Sequence, residues 1–194
     1  VKTGENISLF TNNDSAYETA MSLNKSGVKV KVIIDIRENP SSILSEKIEK
    51  TGIKILRGHT ITNTDGYKRI KSIDVMKLSK DGENVVGNKT TYKCDCLGIS
   101  GGWTPMVHLF TQSGGKLKFR NNDNVFIPDE NKTPSNQISV GSSNGDFELD
   151  DVINNTVKNI KIFLGIDKND FDNLNIKCSK EKQKRNIWLL PSNK

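Results

Sequence analysis

The apolar residues of the first fifty positions alternate between strand-like and helix-like spacing. Residues 7–11 and 28–34 predict strands, and the second is wholly apolar in its later half, as expected where both faces of a sheet are covered. Between them, apolar positions at i, i+4 and i+7 predict a helix with a side-chain cap at residues 13–15. A right-handed crossover should make the two strands parallel neighbours. The helix stripe is Ala16, Ala20 and Leu23, and Gly27 ends it.

A second helix and a group of antiparallel strands are predicted next. The helix opens at Pro40 and ends at residues 51–52, with the apolar stripe Ile43, Leu44 and Ile48. The following pattern favours antiparallel strands with a turn at residues 63–66, and it includes one continuous strand over residues 89–99. These strands are residues 53–56, 59–62, 70–78 and 89–99. The fold class is therefore α/β, a parallel sheet with helices plus a small antiparallel meander.

The second half of the chain has one strong helical pattern. Residues 103–134 are rich in loop-forming residues, with a short helix at 106–111, and a strand is predicted at 137–140. A glycine-containing loop, residues 141–145, then leads into an amphipathic helix that Gly165 ends. Its stripe consists of Leu149, Val152, Ile153, Thr156, Val157, Ile160, Phe163 and Leu164, with Asp150 and Asp151 in the first turn.

The net charge of +6 is concentrated at one end of the chain. Residues 175–194 carry six basic residues and one acid, whereas the rest of the sequence is nearly neutral. Only five of the 29 basic residues are arginine, the preferred contact for phosphate and base edges, so a nucleic-acid surface is not expected. No apolar stretch approaches the roughly 20 residues of a membrane span, and three cysteines are too few for a disulfide framework. We therefore expect a cytoplasmic protein without a membrane segment and, because it begins at Val1, a piece of a longer chain.

Two strand-to-helix turns are candidates for nucleotide binding, because a helix N-terminus presents free N–H groups to phosphate. The first turn, residues 11–16, contains no glycine and places Asp14 where a phosphate would lie, although Asp35 ends the next strand, where an acid could bind a ribose. Its alternative role is a simple helix cap. The second turn, residues 141–145, has Gly141 and Gly145 at positions where backbone could approach a phosphate or a flavin-like ring. An ordinary turn with Asn144 or Asp146 as cap explains it equally well.

The remaining polar residues predict neither a catalytic group nor a metal site. Cys94 and Cys96 should lie on one side of a strand, but no second pair or nearby histidine completes a zinc site. His59 and His108 have no suitably spaced nucleophile, so a catalytic triad is not indicated.

Residues 94–118, Cys-Asp-Cys-Leu-Gly-Ile-Ser-Gly-Gly-Trp-Thr-Pro-Met-Val-His-Leu-Phe-Thr-Gln-Ser-Gly-Gly-Lys-Leu-Lys, carry a distinctive pattern. The Gly-Gly-Trp-x-Pro segment, the following His-Leu and the Ser-x-Gly-Lys-Leu segment resemble the α subunit of heterotetrameric sarcosine oxidase. The Thr-Asn-Asn-Asp-Ser-Ala-Tyr segment at residues 11–17, the strand that ends at Arg37 and the 141–145 loop are similar to that family in the same order.

The resemblance implies an FAD/NAD(P)-binding, two-dinucleotide-domain flavoprotein-like fragment. Residues 1–98 would be an inserted smaller domain, 99–166 a returning segment of the larger NAD-binding domain, and 167–194 a basic linker. Catalytic residues would be absent, and the residues lining the NAD region would be Gly101, Gly102, Trp103, Gly141, Asn144 and Gly145.

The same resemblance implies a parent enzyme with β, γ and δ subunits that oxidatively demethylates sarcosine to glycine. Its products would be hydrogen peroxide and formaldehyde or methylene-tetrahydrofolate, and its cofactors NAD, FAD, FMN and tetrahydrofolate. The fragment alone would be inactive.

Two other functions compete with this one. The chain could be a fragment of a pyridine-nucleotide-dependent flavoprotein reductase, although the Cys-x-Cys pair is in the wrong local context for a redox disulfide. It could also be a non-catalytic scaffold module whose basic tail and Trp188 dock a partner chain.

Overall fold

The structure, a computed structural model, describes residues 3–40, 42–134 and 136–166. These residues form two compact units, 3–102 and 103–166. The predicted tail at residues 167–194, with Trp188, lies outside the described residues. The division follows Gly102, and the roles predicted for the separate segments remain predictions.

The first unit is built on a four-stranded parallel sheet with the strand order β3-β2-β1-β7. The predicted strand-helix-strand-helix pattern is confirmed, and β1 and β2 are parallel neighbours. The elements of this part are β1 (Asn6–Thr11), α1 (Ser15–Lys25), β2 (Lys29–Asp35), α2 (Ser42–Glu49), β3 (Lys54–Arg57) and β7 (Cys96–Ser100).

Each face of this sheet is covered by a different layer. The helices cover one face through an apolar cluster that includes Leu9, Tyr17 and Ile33. A three-stranded antiparallel meander, β4 (His59–Gly66), β5 (Ile70–Leu78) and β6 (Val85–Lys93), covers the other face. Its contact cluster includes Ile34 and Ile73. Coverage on both faces explains the unbroken apolar run of β2, where residues 32–34 are completely buried.

Three predictions about the strands were wrong. The segment that became β3 pairs with β2 in parallel, not antiparallel. β4 continues through Gly66, so the chain turns at residues 67–69 rather than 63–66. The continuous strand predicted over residues 89–99 is two strands, because the chain leaves the meander at Asp95. The backbone N–H groups of Glu5 and Asn6 donate to the Asp95 carboxylate at 3.0 and 2.9 Å, which directs β7 into the parallel sheet beside β1.

The side-chain cap predicted at residues 13–15 is present, and one detail of α2 differs from prediction. Asp14 is the N-cap residue of α1 but makes no side-chain capping bond; instead Ser15 N donates to Asn13 Oδ1 at 3.1 Å. In α2, Ile48 is fully buried, whereas Ile43 is 66% exposed. Ile43 is therefore not part of the buried stripe.

The second unit contains a β-hairpin that the sequence pattern did not predict. Strands β8 (Leu117–Arg120) and β9 (Val125–Pro128) pair within the stretch interpreted as loop, and the short helix is α3 (His108–Gln112). A four-residue strand is too short for its alternation of apolar and polar residues to be recognised in the sequence. The strand predicted at residues 137–140 is wrong, because these residues have no regular secondary structure.

The long amphipathic helix is confirmed as α4 (Leu149–Leu164), and Gly165 ends it in the left-handed conformation at φ 64°. Asp150 and Asp151 occupy its first turn, as predicted. The stripe is not a buried face among the described residues: no residue of α4 is buried, and Leu149 is 56% exposed.

Candidate functional site

The carboxyl ends of β1 and β7 form the edge where an open α/β sheet ordinarily binds a nucleotide. β2 lies on one side of β1 and β7 on the other, so the connections diverge at this pair of strands. Ligands of such sheets bind in the crevice at this switch point. The residues at this edge therefore decide whether the first unit can hold a dinucleotide.

Hydrogen bonds within the chain close the turn after β1. Asn13 is fully buried, and its Nδ2 donates to the carbonyl of Ser100 at 3.0 Å. Thr11 Oγ1 donates to the carbonyl of Asn13 at 2.9 Å, and Asn12 Nδ2 donates to the carbonyl of Gly101 at 3.0 Å. These bonds bind the turn to the end of β7 without any ligand.

A buried charge network lies at the carboxyl end of β2 and the start of α1, where a dinucleotide-binding sheet would hold the phosphate and ribose. We call Asp14, Tyr17, Asp35 and Arg37 the carboxyl-edge network. Arg37 Nη2 lies 2.7 Å from Asp14 Oδ1 and 2.8 Å from Asp35 Oδ2, and both carboxylates are almost completely buried. Tyr17 Oη also donates to Asp35 Oδ2, at 2.8 Å. Asp35, suggested above as a ribose acid, is therefore engaged inside the protein.

The surroundings of Tyr17 and Arg37 raise the pKa of both side chains. Burial, together with the negative charge of Asp35, raises the pKa of the Tyr17 hydroxyl well above its ordinary value, so it remains a donor. Burial opposes ionisation of Arg37, but the hydrogen bonds and negative charges of Asp35 and Asp14 together outweigh burial and raise the pKa of Arg37. Asp14 is the N-cap residue of α1, so its negative charge lies near the end of the helix that would attract a phosphate.

A dinucleotide therefore does not fit at the turn between β1 and α1. The turn has no glycine to admit a pyrophosphate, Asp14 would repel it, and Asp35 has no free oxygen for a ribose. The sequence pattern had identified Asp14 and Asp35 but not Arg37, the residue that joins them. The available signal was the Asp-Ile-Arg order at the strand end, because residues two apart on an extended chain lie on one side.

Gly101 and Gly102 follow β7 at the same edge, and Trp103 is the next residue, at the start of the second unit. All three are exposed, and Trp103 is 61% exposed. A Cβ added at Gly101 would meet no atom within 4 Å, and one at Gly102 would approach only the Asn12 side-chain amide, at 3.8 Å. Packing within the protein does not require a glycine at position 101, and the backbone of Gly101 is accessible to a ligand.

The predicted residues Gly141, Asn144 and Gly145 belong to the second unit. Residues Gly141–Asn144 form a short 3₁₀ turn, and Gly145 follows it in the left-handed conformation at φ 86°. A Cβ at Gly145 would lie 2.8 Å from both Arg120 Nη2 and Ile127 Cγ2, and Arg120 Nη2 donates to the Gly145 carbonyl at 2.7 Å. Packing within the unit therefore accounts for Gly145.

Asn144 lines a pocket of about 350 Å³ in the second unit. Gln137, Asn159 and Phe163 also line it. Asp146 does not cap α4: its Oδ1 accepts from Asn155 Nδ2 at 2.9 Å, and the N-cap residue is Glu148. Gly101 and Gly102 therefore belong to the first unit, whereas Trp103, Gly141, Asn144 and Gly145 belong to the second.

The cysteines are separated by the sheet. Cys94 is buried in the cluster beneath the meander, whereas Cys96 packs against the cluster beneath the helices. The prediction that both thiols share one side of a strand is wrong, because Cys94 precedes β7. Burial raises the pKa of the Cys94 thiol.

Within the described ranges, the chain brings together no group of three or more His, Cys, Asp or Glu residues that could hold a metal. In the same residues, no helix is long and apolar enough to cross a bilayer.

Solved structures with the same fold include bacterial and archaeal reductases. The chain superposes on Lactococcus lactis thioredoxin reductase with a TM-score of 0.57 at 16% identity, covering 83% of this chain and 52% of that one. The thioredoxin reductase of T. acidophilum gives 0.53 at 14% identity, covering 84% and 53%. At these identities the likeness concerns the fold, which is that of FAD/NAD(P)-binding oxidoreductases as predicted.

Curated relatives share more sequence with the chain, although no protein-family model matches it. The sarcosine oxidase subunit alpha of Corynebacterium sp. (strain P-1) is 31% identical over 150 residues, and that of strain U-96 is 30% identical over 145. These alignments cover 76% and 75% of this chain. The chain spans about 15% of the length of either relative. The resemblance drawn from the sequence motifs is thus confirmed: over three quarters of its length, this chain is similar in sequence to a segment of the α subunit of sarcosine oxidase.

Proposed function

We propose that this chain is part of the α subunit of a cytoplasmic oxidoreductase that oxidatively demethylates sarcosine to glycine, and that it contributes to the NAD-binding region of that subunit. The observation that carries the proposal is the 30% identity over 145 residues to the sarcosine oxidase subunit alpha of Corynebacterium sp. (strain U-96). The FAD/NAD(P)-binding fold of the chain supports it. The products would be hydrogen peroxide and formaldehyde or methylene-tetrahydrofolate.

The geometry of the first unit restricts where NAD would bind. The carboxyl-edge network fills the turn between β1 and α1, so this turn would not hold NAD. The open backbone at Gly101 and Gly102 and the exposed Trp103 ring are the better contacts. We propose that they line the NAD region together with Gly141, Asn144 and Gly145 of the second unit. Gly145 would contribute to the NAD region only indirectly, because its packing against Arg120 and Ile127 already requires a glycine at this position.

In this proposal the chain supplies no catalytic residue. The FAD, FMN and tetrahydrofolate of the parent enzyme would be bound outside these residues, and the partners would be its β, γ and δ subunits. The buried thiol of Cys94 and its separation from Cys96 argue against the alternative of a redox-disulfide reductase, since such a pair must be able to join.

The test is Gly101→Val in the complete α subunit, assembled with its partner subunits. A valine at this position meets no atom of the chain within 4 Å of its Cβ, so folding should be unchanged. We expect the NAD content of the purified enzyme to fall at least about ten-fold, a loss of about 1.4 kcal/mol of binding free energy. Asn88→Val, at an exposed position of the meander, is the matched control. Unchanged NAD content, or an assembled enzyme that does not oxidise sarcosine, would contradict the proposal.

A further inference from the structure

A groove with five cationic side chains lies at the opposite edge of the first unit from the carboxyl-edge network. It has a volume of about 660 Å³ and is bordered by the starts of β1 and β7 and by the turn between β4 and β5. We call it the basic groove, and its cations are Lys31, Lys68, Arg69, Lys71 and Lys93. Since residues 1–174 are nearly neutral overall, this is a local concentration of charge.

One of these cations, Lys31, lies where the pairing of β1 with β2 shifts in register. The pairing of β1 with β2 steps from Ile7–Val30 to Ser8–Val32, so Lys31 has no counterpart on β1. Val30 consequently packs in the cluster beneath the helices and Val32 in the cluster beneath the meander. Without this shift in register, both would face the same way. Lys31 is half-buried and lines the groove on the meander side of the sheet, opposite to Val30.

Among the described residues, no salt bridge neutralises the four lysines of the groove, Lys31, Lys68, Lys71 and Lys93. The acid of the lining is Asp95, and its carboxylate accepts the backbone N–H groups of Glu5 and Asn6, which lower its pKa. Arg69 is fixed by a bond from Nη2 to the Thr3 carbonyl at 2.9 Å. Unpaired cations around one groove repel one another, and a bound polyanion would relieve this repulsion.

The rest of the lining suits an organic ligand rather than a bare ion. Ile70 and the buried Cys94 contribute apolar surface, and the Tyr67 side chain is 94% exposed at the rim. The volume lies within the roughly 300–1,000 Å³ of small-molecule sites. An exposed aromatic ring beside cations offers a flat partner for stacking a base.

We propose that the basic groove binds an organic polyphosphate of nucleotide size, with its phosphates among the lysines and its ring against Tyr67. Four of the five cations are lysines. A lysine holds phosphate as a point charge, and the volume of the groove with the exposed Tyr67 ring at its rim suits a nucleotide better than an extended acidic peptide. This site is independent of the NAD region proposed above, because it lies at the amino-terminal edge of the sheet.

The experiment is calorimetric titration of the full chain with ATP at about 0.15 M salt, where exposed charges are screened beyond about 8 Å. The groove variant is Lys71→Gln/Lys93→Gln, and the matched control is Lys47→Gln/Lys77→Gln, which removes two exposed lysines outside the groove. We expect saturable binding that the groove variant weakens at least about ten-fold and the control less than about two-fold. NAD, with fewer phosphate charges, should bind at least about ten-fold more weakly than ATP.

A second variant tests the organic part of the ligand. Tyr67→Ala should weaken ATP several-fold and leave inorganic tripolyphosphate unchanged. Three results would overturn the proposal: no saturable ATP heat at millimolar concentration, equal affinities for the groove variant and its control, or tighter binding of a deca-glutamate peptide than of ATP. If Tyr67→Ala changes neither ligand, the stacking role is wrong. Circular dichroism of each variant verifies that these surface changes leave the fold intact.

Discussion

Arg37 and Asp35 form a two-point ion pair in the interior of the first unit, at the carboxyl end of β2. Arg37 Nε donates to Asp35 Oδ1 at 3.1 Å and Nη2 to Oδ2 at 2.8 Å, and the two side chains are 4% and 0% exposed. The same Nη2 reaches Asp14 at the start of α1. A nucleotide-binding sheet would present an acid and an open helix N-terminus at this edge. In this chain, Arg37 instead joins the acid Asp35 to Asp14 at the start of α1.

The first prediction concerns the stability that Arg37 provides. Arg37→Met should destabilise the chain by about 3–5 kcal/mol, because it leaves two buried carboxylates without their cation. Urea unfolding followed by circular dichroism measures the change. Arg57→Met is the matched control: Arg57 also lies 2.7 Å from its partner, Glu49, but both side chains are more than one-third exposed. It should cost less than about 1 kcal/mol. Equal losses for the two variants would show that burial of the network does not matter.

A second prediction distinguishes two left-handed glycines of the second unit. Gly145→Ala must place a Cβ 2.8 Å from Arg120 Nη2 and Ile127 Cγ2, whereas Gly165→Ala meets nothing within 4 Å. Both substitutions carry the left-handed penalty of about 1–2 kcal/mol. Gly145→Ala should cost a further 1–3 kcal/mol or so from overpacking. Thermal unfolding should therefore give a lower midpoint for Gly145→Ala, and equal midpoints would contradict the packing described for Gly145.

The third prediction is that the stability of the chain depends on pH through Asp74. Asp74 Oδ1 accepts from Thr91 Oγ1 at 2.6 Å and Oδ2 from Lys89 Nζ at 3.2 Å. The bond from Thr91, aided by Lys89, lowers the pKa of Asp74 in the folded chain. A carboxyl group with a lowered folded-state pKa contributes its full stability above the unfolded value of about 3.9 and loses it as pH falls through the folded value.

Asp74→Asn should therefore lower the stability by about 1 kcal/mol at pH 7, and the difference from the parent chain should shrink as the pH falls below about 4. Urea midpoints between pH 7 and pH 3 measure it. Asp65→Asn, at an exposed position of β4, is the control and should leave the pH profile unchanged. A difference that grows at low pH would reverse the sign and reject the mechanism.

Much of the local structure could be predicted from the order of residues. The spacing in residues 149–164 predicted α4 and its end at Gly165, because a 3.6-residue period repeated over four turns is unambiguous. The apolar run in β2 correctly indicated a strand covered on both faces. The hairpin of β8 and β9 was missed because each strand has only four residues. The predicted strand over residues 89–99 merged two strands, since the carboxylate of Asp95 separates them through bonds to residues 5 and 6, which are distant in sequence.

The sequence by itself determined the α/β class, the order of most helices and strands, and the motif resemblance at residues 94–118, since these depend on neighbours along the chain. Only the tertiary structure decided what the candidate positions do. Asp14, Asp35 and Arg37 become one network because parallel pairing of β1 and β2 brings their carboxyl ends to the same edge. Lys31 of β2 joins lysines of the meander in one groove because the meander packs on that face of the parallel sheet. Contacts between residues that are distant in sequence depend on strand register and on distances in space, which local periodicity does not encode.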